Sequence, residues 1–347
     1  MKTILKNKLK IYQKKRYDSI HKKQALDALK TIQEDTGYEL TKKQKSMIKE
    51  YAVEILGSAS YVYWLYVYTA YNQQFKEGWI PDNYFGYVVA PKVNKGIGEI
   101  SNIKTLSKKI IQTDLLPDKF YIIDKILYDQ NFKIIQRENI EHILFSESDE
   151  YFLKKDSSNQ GRGVFKITKE NFNIECINNS GDAVIQRPII QSKWFDEIVT
   201  GSVATIRITT LKKNDGTIKL AASYLRLGRK NTDIVQSKSA IRVPIMDDLG
   251  NLGEYGSDPL WKRHYKHPDT QYKFAGSKIP NFNKAIEYCL KMHRKIPFFT
   301  IIGWDVSITD ENEPQIMEWN ARHPDIRFTE ASLGPSFIDL GWEHLHK

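Results

Sequence analysis

The stretch FTIIGWDVSITDENEPQIMEWN, residues 299–320, constrains the fold more strongly than any other part of this chain. Two apolar runs flank the polar segment TDENEP, a pattern that predicts a β-hairpin. Asp305 interrupts the first run, and Glu318 and Asn320 interrupt the second. Because side chains at i and i+2 share one face of a strand, Glu318 and Asn320 point the same way, and pairing of the strands brings Asp305 to them. A buried carboxylate is costly unless it is paired or bound to a metal, so this hairpin requires a cation beside it.

Two kinds of cation can satisfy these acids. Ligation by carboxylates and an amide oxygen suits Mg²⁺, which keeps some of its waters and also takes phosphate oxygens. The alternative is an ion pair between Glu318 and an arginine such as Arg322 or Arg327, the ordinary partner of a lone buried acid. Because three oxygen-bearing side chains occur at matched depth, the sequence favours a metal site formed by Asp305, Glu318 and Asn320.

The composition is that of a globular protein with a substantial core. The chain has 347 residues, of which 41% are hydrophobic and 27% are charged, enough for two or three domains. Its two cysteines, Cys176 and Cys289, have no ligand-like spacing, which favours reduced core residues over a disulfide or a zinc site. No signal-peptide pattern is present at the N-terminus, so we expect a cytoplasmic protein.

The positive charge is concentrated at the N-terminus. The formal net charge is +10, and residues 1–23 contain nine Lys/Arg against the single acid Asp18. Apolar residues fall at helical spacing in this segment, as in a basic amphipathic arm. Such an arm is attracted to an anionic surface, either lipid at the inner face of the membrane or acidic polysaccharide, with nucleic acid the least favoured partner. An ordinary lysine-rich, solvated helix is an equally good explanation.

One segment has the composition of a short membrane span. ILGSASYVYWLYVYTAY, residues 55–71, carries no charge but contains five tyrosines. Tyrosine hydroxyls are poorly placed in hydrocarbon, and the run is short for the roughly 20 residues that a span requires. We therefore expect a helix buried in protein, with a helix lying in the membrane interface as the alternative.

The order of the predicted elements indicates an α+β fold behind a helical front part. Helical spacing dominates residues 1–85, and the segment 77–94, rich in glycine, proline and asparagine, predicts a boundary. Residues 118–130 have the pattern of a further helix. Several strands follow, including a hairpin around KKNDG with Asp-Gly in its turn. We therefore predict a helical N-terminal region over 1–85 and an α+β body over 86–347.

A glycine-containing loop between two predicted strands is a candidate phosphate-binding element. FLKKDSSNQGRGVFKI places Lys154 and Lys155 before the loop and Gly161 and Gly163 inside it. Glycines let backbone N–H groups approach an anion closely, and either lysine can neutralise it. A strand follows the loop where a Walker or Rossmann motif has a helix. Taken alone, this stretch is explained as simply by an ordinary hairpin.

Two predicted strands each carry an arginine, Arg207 in TIRITTL and Arg226 in YLRLGR. Arg207 shares its face with Thr205 and Thr209, and a guanidinium there can bind phosphate or carboxylate oxygens with two hydrogen bonds. The alternative is an exposed sheet face whose arginine stems cover apolar neighbours. In chain order, the lysine and glycine loop, the strand arginines and the acidic hairpin are the parts of a nucleotide–Mg²⁺ site.

That order resembles the ATP-grasp superfamily and, within it, the sugar-transfer-associated ATP-grasp branch. The similarity extends over roughly residues 115–325 and is carried by TIRITTL, YLRLGR and IGWDVSIT…PQIMEWN. The Asp followed by Glu-x-Asn is the most specific of these motifs. The resemblance implies an ATP-grasp fold, in which a lid subdomain of about residues 130–190 and a central subdomain of about 190–347 clasp ATP between them.

The resemblance also implies a role for each matched residue. Asp305, Glu318 and Asn320 would hold one or two Mg²⁺ ions that bridge the phosphates of ATP. Arg226 would stabilise the transferred phosphoryl group, with Arg207 beside it. The remaining matched positions would bind the nucleotide: the lysines Lys119, at the start of the predicted helix, and Lys154, the lid residues Gly161, Arg162, Gly163 and Val164, and the adenine-hinge residues Gln186 and Arg187.

The activity implied by the resemblance is that of an ADP-forming carboxylate–amine ligase. ATP would phosphorylate a carboxylate, and an amine would attack the acyl phosphate to give an amide. The name of the branch suggests surface-polysaccharide or capsule biosynthesis, such as joining an amino acid or amine to a uronic acid. Two alternatives stay open: phosphoryl transfer to another acceptor, and a non-catalytic protein that binds an anionic polymer or membrane through residues 1–23.

Overall fold

The computed structural model describes residues 2–158, 163–199, 201–230, 235 and 238–347, with side chains from residue 5 onward. Helices and two antiparallel sheets give an α+β fold, as expected. The α-helices are α1 (Lys2–Thr36), α2 (Lys42–Glu50), α3 (Val62–Asn72), α4 (Asp82–Tyr84), α5 (Ala90–Val93), α6 (Lys104–Ile111), α7 (Ile140–Leu144), α8 (Glu175–Asn179), α9 (Lys193–Ile198), α10 (Phe282–Lys295) and α11 (Arg327–Leu333). Short 3₁₀ or π-helical turns occupy Tyr51–Ile55, Ala59–Tyr61, Phe85–Val89, Gly98–Asn102, Arg137–Asn139 and Trp342–His344.

The strands fall into two groups along the chain. The first sheet contains β1 (Asp118–Ile123), β2 (Ile126–Asp129), β3 (Glu150–Lys155), β4 (Val164–Thr168) and β5 (Ala183–Gln186), in the order β2-β1-β5-β3-β4. The second contains β6 (Thr205–Lys212), β7 (Ile218–Leu227), β8 (Ile241–Pro244), β9 (Gly256–Ser257), β10 (Arg263–His264), β11 (Ile301–Ile308) and β12 (Pro314–Asn320). Its order is β10-β9-β8-β7-β6-β11-β12.

Local sequence signals account for the ends of the first two helices. α1 ends at Thr36 because Gly37 follows in a left-handed conformation with φ of 69°, which glycine adopts at little cost. Thr41 caps α2, as its residue type predicts. Its hydroxyl accepts a hydrogen bond from the Gln44 N–H, and the Gln44 side chain accepts one from the Thr41 N–H, which together satisfy two donors of the helix start.

The tyrosine-rich segment forms α3, which is buried in protein as expected. Trp64, Tyr68 and Tyr71 are at most 3% exposed. Trp64 packs on Trp261 with ring centroids 6.2 Å apart, and Tyr71 packs on Phe328 at 6.4 Å. Within the part of the chain that the structure describes, no helix is long and apolar enough to cross a membrane. The helical region therefore shares its core with the C-terminal half of the chain.

The segment predicted as a boundary, residues 77–94, is instead helical over most of its length. Pro81 enters with extended backbone, and helical turns then run from Asp82 to Val93, consistent with the preference of proline for helix starts. The amide of the buried Asn94 bonds the backbone at Ile301. The predicted division between residues 85 and 86 falls inside this helical run, and the domain limits stay a prediction.

The helix predicted over residues 118–130 is wrong, because β1 and β2 form a hairpin there. The turn residues Asp124 and Lys125 both have positive φ, 51° and 67°, as in the two-residue turns that match the twist of paired strands. This turn lacks the usual Asn-Gly or Asp-Gly, so no turn signal separates the two apolar runs. Lys119 consequently lies within β1 and does not open a helix.

The second sheet contains both predicted hairpins. β6 and β7 pair around the KKNDG turn, and β11 pairs with β12 so that Asp305 lies opposite Glu318. Trp304 and Trp319, on one face of the sheet, belong to the same buried cluster as residues of α10. The other face carries the polar side chains and forms the floor of a cavity.

Candidate active site

A cavity of about 640 Å³ lies between the two sheets, and residues of the helical region complete its wall. Nine of the predicted site residues line it: Lys154, Val164, Gln186, Arg187, Arg207, Arg226, Asp305, Glu318 and Asn320. Among the described residues, Lys119 and Gly163 are not part of this lining. Gly161 and Arg162 lie outside the described residues. The structure thus brings together predicted residues from seven strands of both sheets.

The acidic hairpin presents its polar side chains to the cavity through a β-bulge. The strand register shifts by one residue after the pair Asp305–Glu318, which makes Met317 an extra residue in β12. Met317, Glu318 and Asn320 all line the cavity, whereas Trp319 stays in the core. Bulges re-aim side chains and are common beside active sites. The strand register thus brings Asp305, Glu318 and Asn320 to the same cavity, as the sequence predicts.

Asp305 is held by two arginines, Arg207 on the neighbouring strand β6 and Arg226 on β7, the strand beyond it. Its Oδ1 accepts from Arg207 Nε at 2.6 Å, and its Oδ2 accepts from Arg207 Nη2 at 3.1 Å and from Arg226 Nη2 at 3.3 Å. Burial disfavours the charged carboxylate, but Arg207 and Arg226 outweigh it and hold the pKa of Asp305 below its ordinary value. Asp305 is therefore an ionised carboxylate with a fixed orientation.

The two arginines differ in how many of their donors the protein uses. Arg207 is 5% exposed and also donates from Nη1 to the Pro324 carbonyl at 2.7 Å. Arg226 has its Nε buried without a hydrogen-bond partner among the described residues. Arg207 consequently orients Asp305, and Arg226 is the one with donors left for a ligand. A direct catalytic role for either arginine stays a prediction.

Glu318 does not pair with the arginines that were its alternative partners. Arg322 Nε lies 2.8 Å from Glu99, and Arg327 Nε lies 3.3 Å from Asp82. Within the described residues, Glu318 has no hydrogen bond or ion pair. A carboxylate on a cavity wall with no protein partner is free for a ligand.

The polar atoms beside Glu318 fit a Mg²⁺ ion. The side-chain nitrogen of Asn320 is buried without a hydrogen-bond partner among the described residues, and a half-turn of the amide places its oxygen at the same point. Asp305 retains acceptor capacity, because a carboxylate offers about four lone-pair sites. The described residues contain no cluster of three His, Cys, Asp or Glu suited to a metal. The donor set is thus two carboxylates and an amide, and Mg²⁺ tolerates so few protein ligands because it keeps several waters.

Lys154 rather than Lys155 faces this acidic part of the cavity. Burial lowers the pKa of the Lys154 ammonium, while Glu318 acts in the opposite direction. Lys154 has no hydrogen-bond partner among the described residues. Lys155 instead lies over the Phe165 ring, 5.4 Å from its centroid. The choice between the two lysines, open from the sequence, is therefore decided by the alternation of side chains along β3.

The predicted adenine hinge is built around two carboxylates. Gln186 Nε2 donates to Asp118 Oδ1 at 2.7 Å, so its side chain is already occupied and a base would meet mainly the backbone. Arg187 pairs with Glu147, and Lys119 Nζ pairs with the same carboxylate at 2.7 Å. Lys119 is therefore tied to Glu147, outside the cavity lining and on a strand where a helix start was expected.

Comparison with known protein families finds a match for the region that contains most of this site. Residues 173–340 match the family model described as sugar-transfer associated ATP-grasp. Residues 173–340 belong to the ATP-grasp superfamily. The ATP-grasp match includes β5 to β12, and with them Arg207, Arg226, Asp305, Glu318 and Asn320. Lys154 precedes it, so its assignment rests on its position in the cavity.

Solved structures with a similar fold include several ATP-grasp enzymes, all distant in sequence. An ADP complex of N5-carboxyaminoimidazole ribonucleotide synthetase is 13% identical with a TM-score of 0.39, over 64% of this chain and 45% of that one. The biotin carboxylase domain of Hydrogenobacter thermophilus 2-oxoglutarate carboxylase is 14% identical with a TM-score of 0.42, over 72% of this chain and 45% of that one. D-alanyl-alanine synthetase A of Vibrio cholerae is 10% identical with a TM-score of 0.40, over 72% of this chain and 67% of that one.

These likenesses do not transfer an activity to this chain. It spans less than half of the first two structures, and the scores are low. No curated protein sequence matches the chain significantly.

Among the further residues that line the cavity are five polar or charged ones that sequence reasoning did not select as site residues: Tyr17, Arg242, His323, Asp325 and Arg327. Arg242 gave the same signal as Arg207 and Arg226, a charged residue inside the short apolar strand IRVP. Tyr17, on α1, gave none, because its place depends on how the helical region packs. His323 and Asp325 lie in the loop after β12, which has no regular pattern, and Arg327 begins α11.

Proposed function

We propose that this protein is an ATP-dependent, ADP-forming ligase that joins a carboxylate to an amine through an acyl phosphate. The observation that carries the proposal is the order of charges along the cavity floor. Glu318 and Asn320 stand free on β12, the Arg207–Asp305 pair lies between, and Arg226 follows on β7. Such an order suits Mg-ATP on the β12 side and an anionic acceptor on the β7 side.

The side chains of the cavity act by binding and orientation. Glu318, Asn320 and Asp305 would hold Mg²⁺, which when bound neutralises charge on the phosphates and the transferred group. Lys154 would donate to a nucleotide phosphate from the β3 side of the cavity. Arg226 would donate from its free Nε to the oxygens of the transferred phosphoryl group. Arg207 keeps Asp305 ionised and oriented towards the Mg²⁺ ion and Arg226.

The proposed chemistry has two balanced steps. An oxygen of the acceptor carboxylate attacks the γ-phosphorus of ATP, and the bond to the bridging oxygen of ADP breaks. The amine nitrogen then attacks the acyl carbon, and inorganic phosphate leaves with the bonding electron pair. The proton released from the nitrogen can pass to the departing phosphate or to water. Arginine donors near both phosphoryl positions favour each step because they stabilise charge on the oxygens that leave.

The family description, sugar-transfer associated, supports an acceptor in surface-polysaccharide or capsule biosynthesis. A uronic acid supplies the carboxylate that the proposed chemistry needs, and an amino acid or another small amine supplies the nucleophile. This setting rests on family analogy, which suggests a substrate class without naming a compound.

The proposal is tested by ADP release from purified full-length protein. Mg-ATP is supplied with a panel of amines, a panel of uronic acids, or both. We expect ADP and phosphate only when a carboxylate and an amine are present together, with an amide product in the mass spectrum. ADP formed with a hydroxyl acceptor alone would favour the phosphotransferase alternative. If no combination releases ADP, a binding function replaces the enzyme.

The first turns of α1 support an additional, peripheral interaction with an anionic surface. Leu5, Leu9 and Tyr12 are 72%, 56% and 64% exposed, and their spacing places them on one helical face. Lysines flank this apolar stripe at positions 6, 8 and 10. Further along α1, Tyr17 lines the cavity, whereas residues 5–13 are exposed. A basic helix with an exposed apolar stripe binds anionic membranes at their surface.

Vesicle sedimentation tests this interaction with matched charge variants. Replacing Lys6, Lys8 and Lys10 by Gln should weaken binding to phosphatidylserine vesicles on the order of 100-fold at low salt. Replacing the equally exposed Lys42, Lys43 and Lys45 of α2 serves as the control, because it removes the same charge from the protein body. Binding that is unaffected by salt contradicts the idea. If the protein binds a uronic-acid polymer but not vesicles, the anionic surface bound by α1 is a polysaccharide.

A further inference from the structure

Two arginines lie directly opposite each other on neighbouring strands of the cavity floor. Arg226 on β7 and Arg242 on β8 are paired positions in the antiparallel ladder. Both line the cavity, and both have a buried Nε without a hydrogen-bond partner among the described residues. Like charges directly opposite each other destabilise a sheet. The pair is therefore unfavourable in the protein alone and needs a compensating anion.

Arg242 has no hydrogen bond or ion pair with any residue that the structure describes, which sets it apart from the other cavity arginines. Each of those has a carboxylate partner: Glu147 for Arg187, Asp305 for Arg207 and Arg226, Glu99 for Arg322, and Asp82 for Arg327.

Asp325 is a carboxylate within electrostatic range of Arg242, but both of its oxygens already contact other residues. Burial opposes the charged form of Asp325, and Arg327, then Arg242, hold the pKa of Asp325 below its ordinary value. Its Oδ1 lies 3.6 Å from Arg327, and its Oδ2 accepts from the Tyr224 hydroxyl at 3.3 Å. Arg242 thus lies within electrostatic range of a carboxylate, but its guanidinium has no hydrogen-bond acceptor among the described residues.

The sheet order separates Arg242 from the proposed nucleotide phosphates. β8 is three strands away from β11, which carries Asp305, and four away from β12, which carries Glu318. At about 4.8 Å per strand, the first separation is about 14 Å across the sheet. A triphosphate bound through Glu318 and Asp305 therefore lies on the far side of Arg226. An anion at Arg242 belongs to the other substrate.

We propose that Arg242, beside Arg226 on the cavity floor, binds an anionic group of the acceptor other than the carboxylate that reacts. The acceptor is then at least a dianion, whose second group is a carboxylate or a phosphate. A guanidinium binds either of these with two parallel hydrogen bonds. This inference rests on the proposed ligase function, because it assigns the acceptor side of the same cavity.

Calorimetric titration of the full-length protein with inorganic phosphate and with acetate, at constant ionic strength, tests the proposal. Wild type should bind one of the two anions saturably, and saturating Mg²⁺ with a non-hydrolysable ATP analogue should leave that binding intact. Arg242→Gln should weaken it about tenfold or more, and Arg242→Lys should weaken it less, because lysine keeps the charge but loses the fork. Lys219→Gln, an exposed charge on β7, should have no effect. The preferred anion identifies the class of the second group.

Thermal unfolding without ligand provides an independent measurement. Arg242→Gln removes a charge that lies opposite Arg226 and has no partner among the described residues, so the unfolding midpoint should rise, by about 2 °C. A residue needed only for the fold would lower it.

Three results overturn the proposal: equal anion affinity in wild type and Arg242→Gln, no saturable binding of either anion to wild type, or displacement of the anion by the ATP analogue. Failure of wild type to bind the ATP analogue contradicts the ligase function instead, and it leaves the anion measurement at Arg242 standing.

Discussion

The two ends of the cavity floor belong to one sheet face but leave opposite charges uncompensated. At the acidic end, formed by Glu318 and Asn320 on β12, a carboxylate and an amide nitrogen have no hydrogen-bond partner among the described residues. At the arginine end, formed by Arg226 and Arg242, two guanidinium groups face each other. A fold that served only its own stability would pair such groups with each other or replace them. The difference indicates that the acidic end of the floor suits a bound cation and that the arginine end suits bound anions.

Between the two ends, Asp305 is a carboxylate of the floor whose charge the protein compensates. Asp305→Asn should leave Arg207 buried beside a neutral partner and remove the contact of Arg226. Breaking a buried pair from one side costs about 3 kcal/mol, which corresponds to a fall in the unfolding midpoint of roughly 6–12 °C at 2–4 °C per kcal/mol. Differential scanning calorimetry measures the change. Asp310→Asn, in the exposed turn of the same hairpin, should change nothing, and an equal loss in both variants would contradict the central position of Asp305.

Glu318 should behave in the opposite way. Because no described residue pairs with it, Glu318→Gln should keep the unfolding midpoint close to wild type. ADP formation should nevertheless fall on the order of 100-fold, because a principal ligand of the ion that neutralises transition-state charge is lost. Steady-state kinetics over a range of Mg²⁺ concentrations checks this. Glu311→Gln in the hairpin turn is the matched control, and activity in Glu318→Gln equal to that control would remove the acidic end from the mechanism.

Substitution of Lys154 tests whether the first sheet contributes to nucleotide binding beside the acidic end. Lys154→Met should weaken binding of the ATP analogue about tenfold or more, the usual effect of losing one charged hydrogen bond to phosphate. Lys155→Met should change it little, because Lys155 lies over Phe165. Fluorescence titration of the nucleotide distinguishes the two. The reverse order of effects would show that Lys155 faces the phosphates when nucleotide is bound.

The parts of the site that the sequence predicted correctly depend on short-range rules. The hairpin of residues 299–320, the strand alternation that puts Glu318 and Asn320 on one face, and the KKNDG turn all follow from neighbours a few residues apart. Lys119 was placed wrongly because the Asp124–Lys125 turn carries no glycine or asparagine. The segment 77–94 is largely helical because its proline stands at a helix start and Asn94 binds backbone groups, and its role as a domain boundary stays a prediction.

By itself, the sequence determined the α+β class, the acidic hairpin and the family resemblance, because local pattern and turn chemistry specify them. The tertiary structure decided which cation each acid meets: Arg207 for Asp305, and none of the described arginines for Glu318. It also placed Arg242 opposite Arg226 and brought Tyr17 of α1 to the cavity wall. These outcomes depend on strand order and on the packing of distant helices, which are set by the burial of the whole core and by no stretch of a few residues.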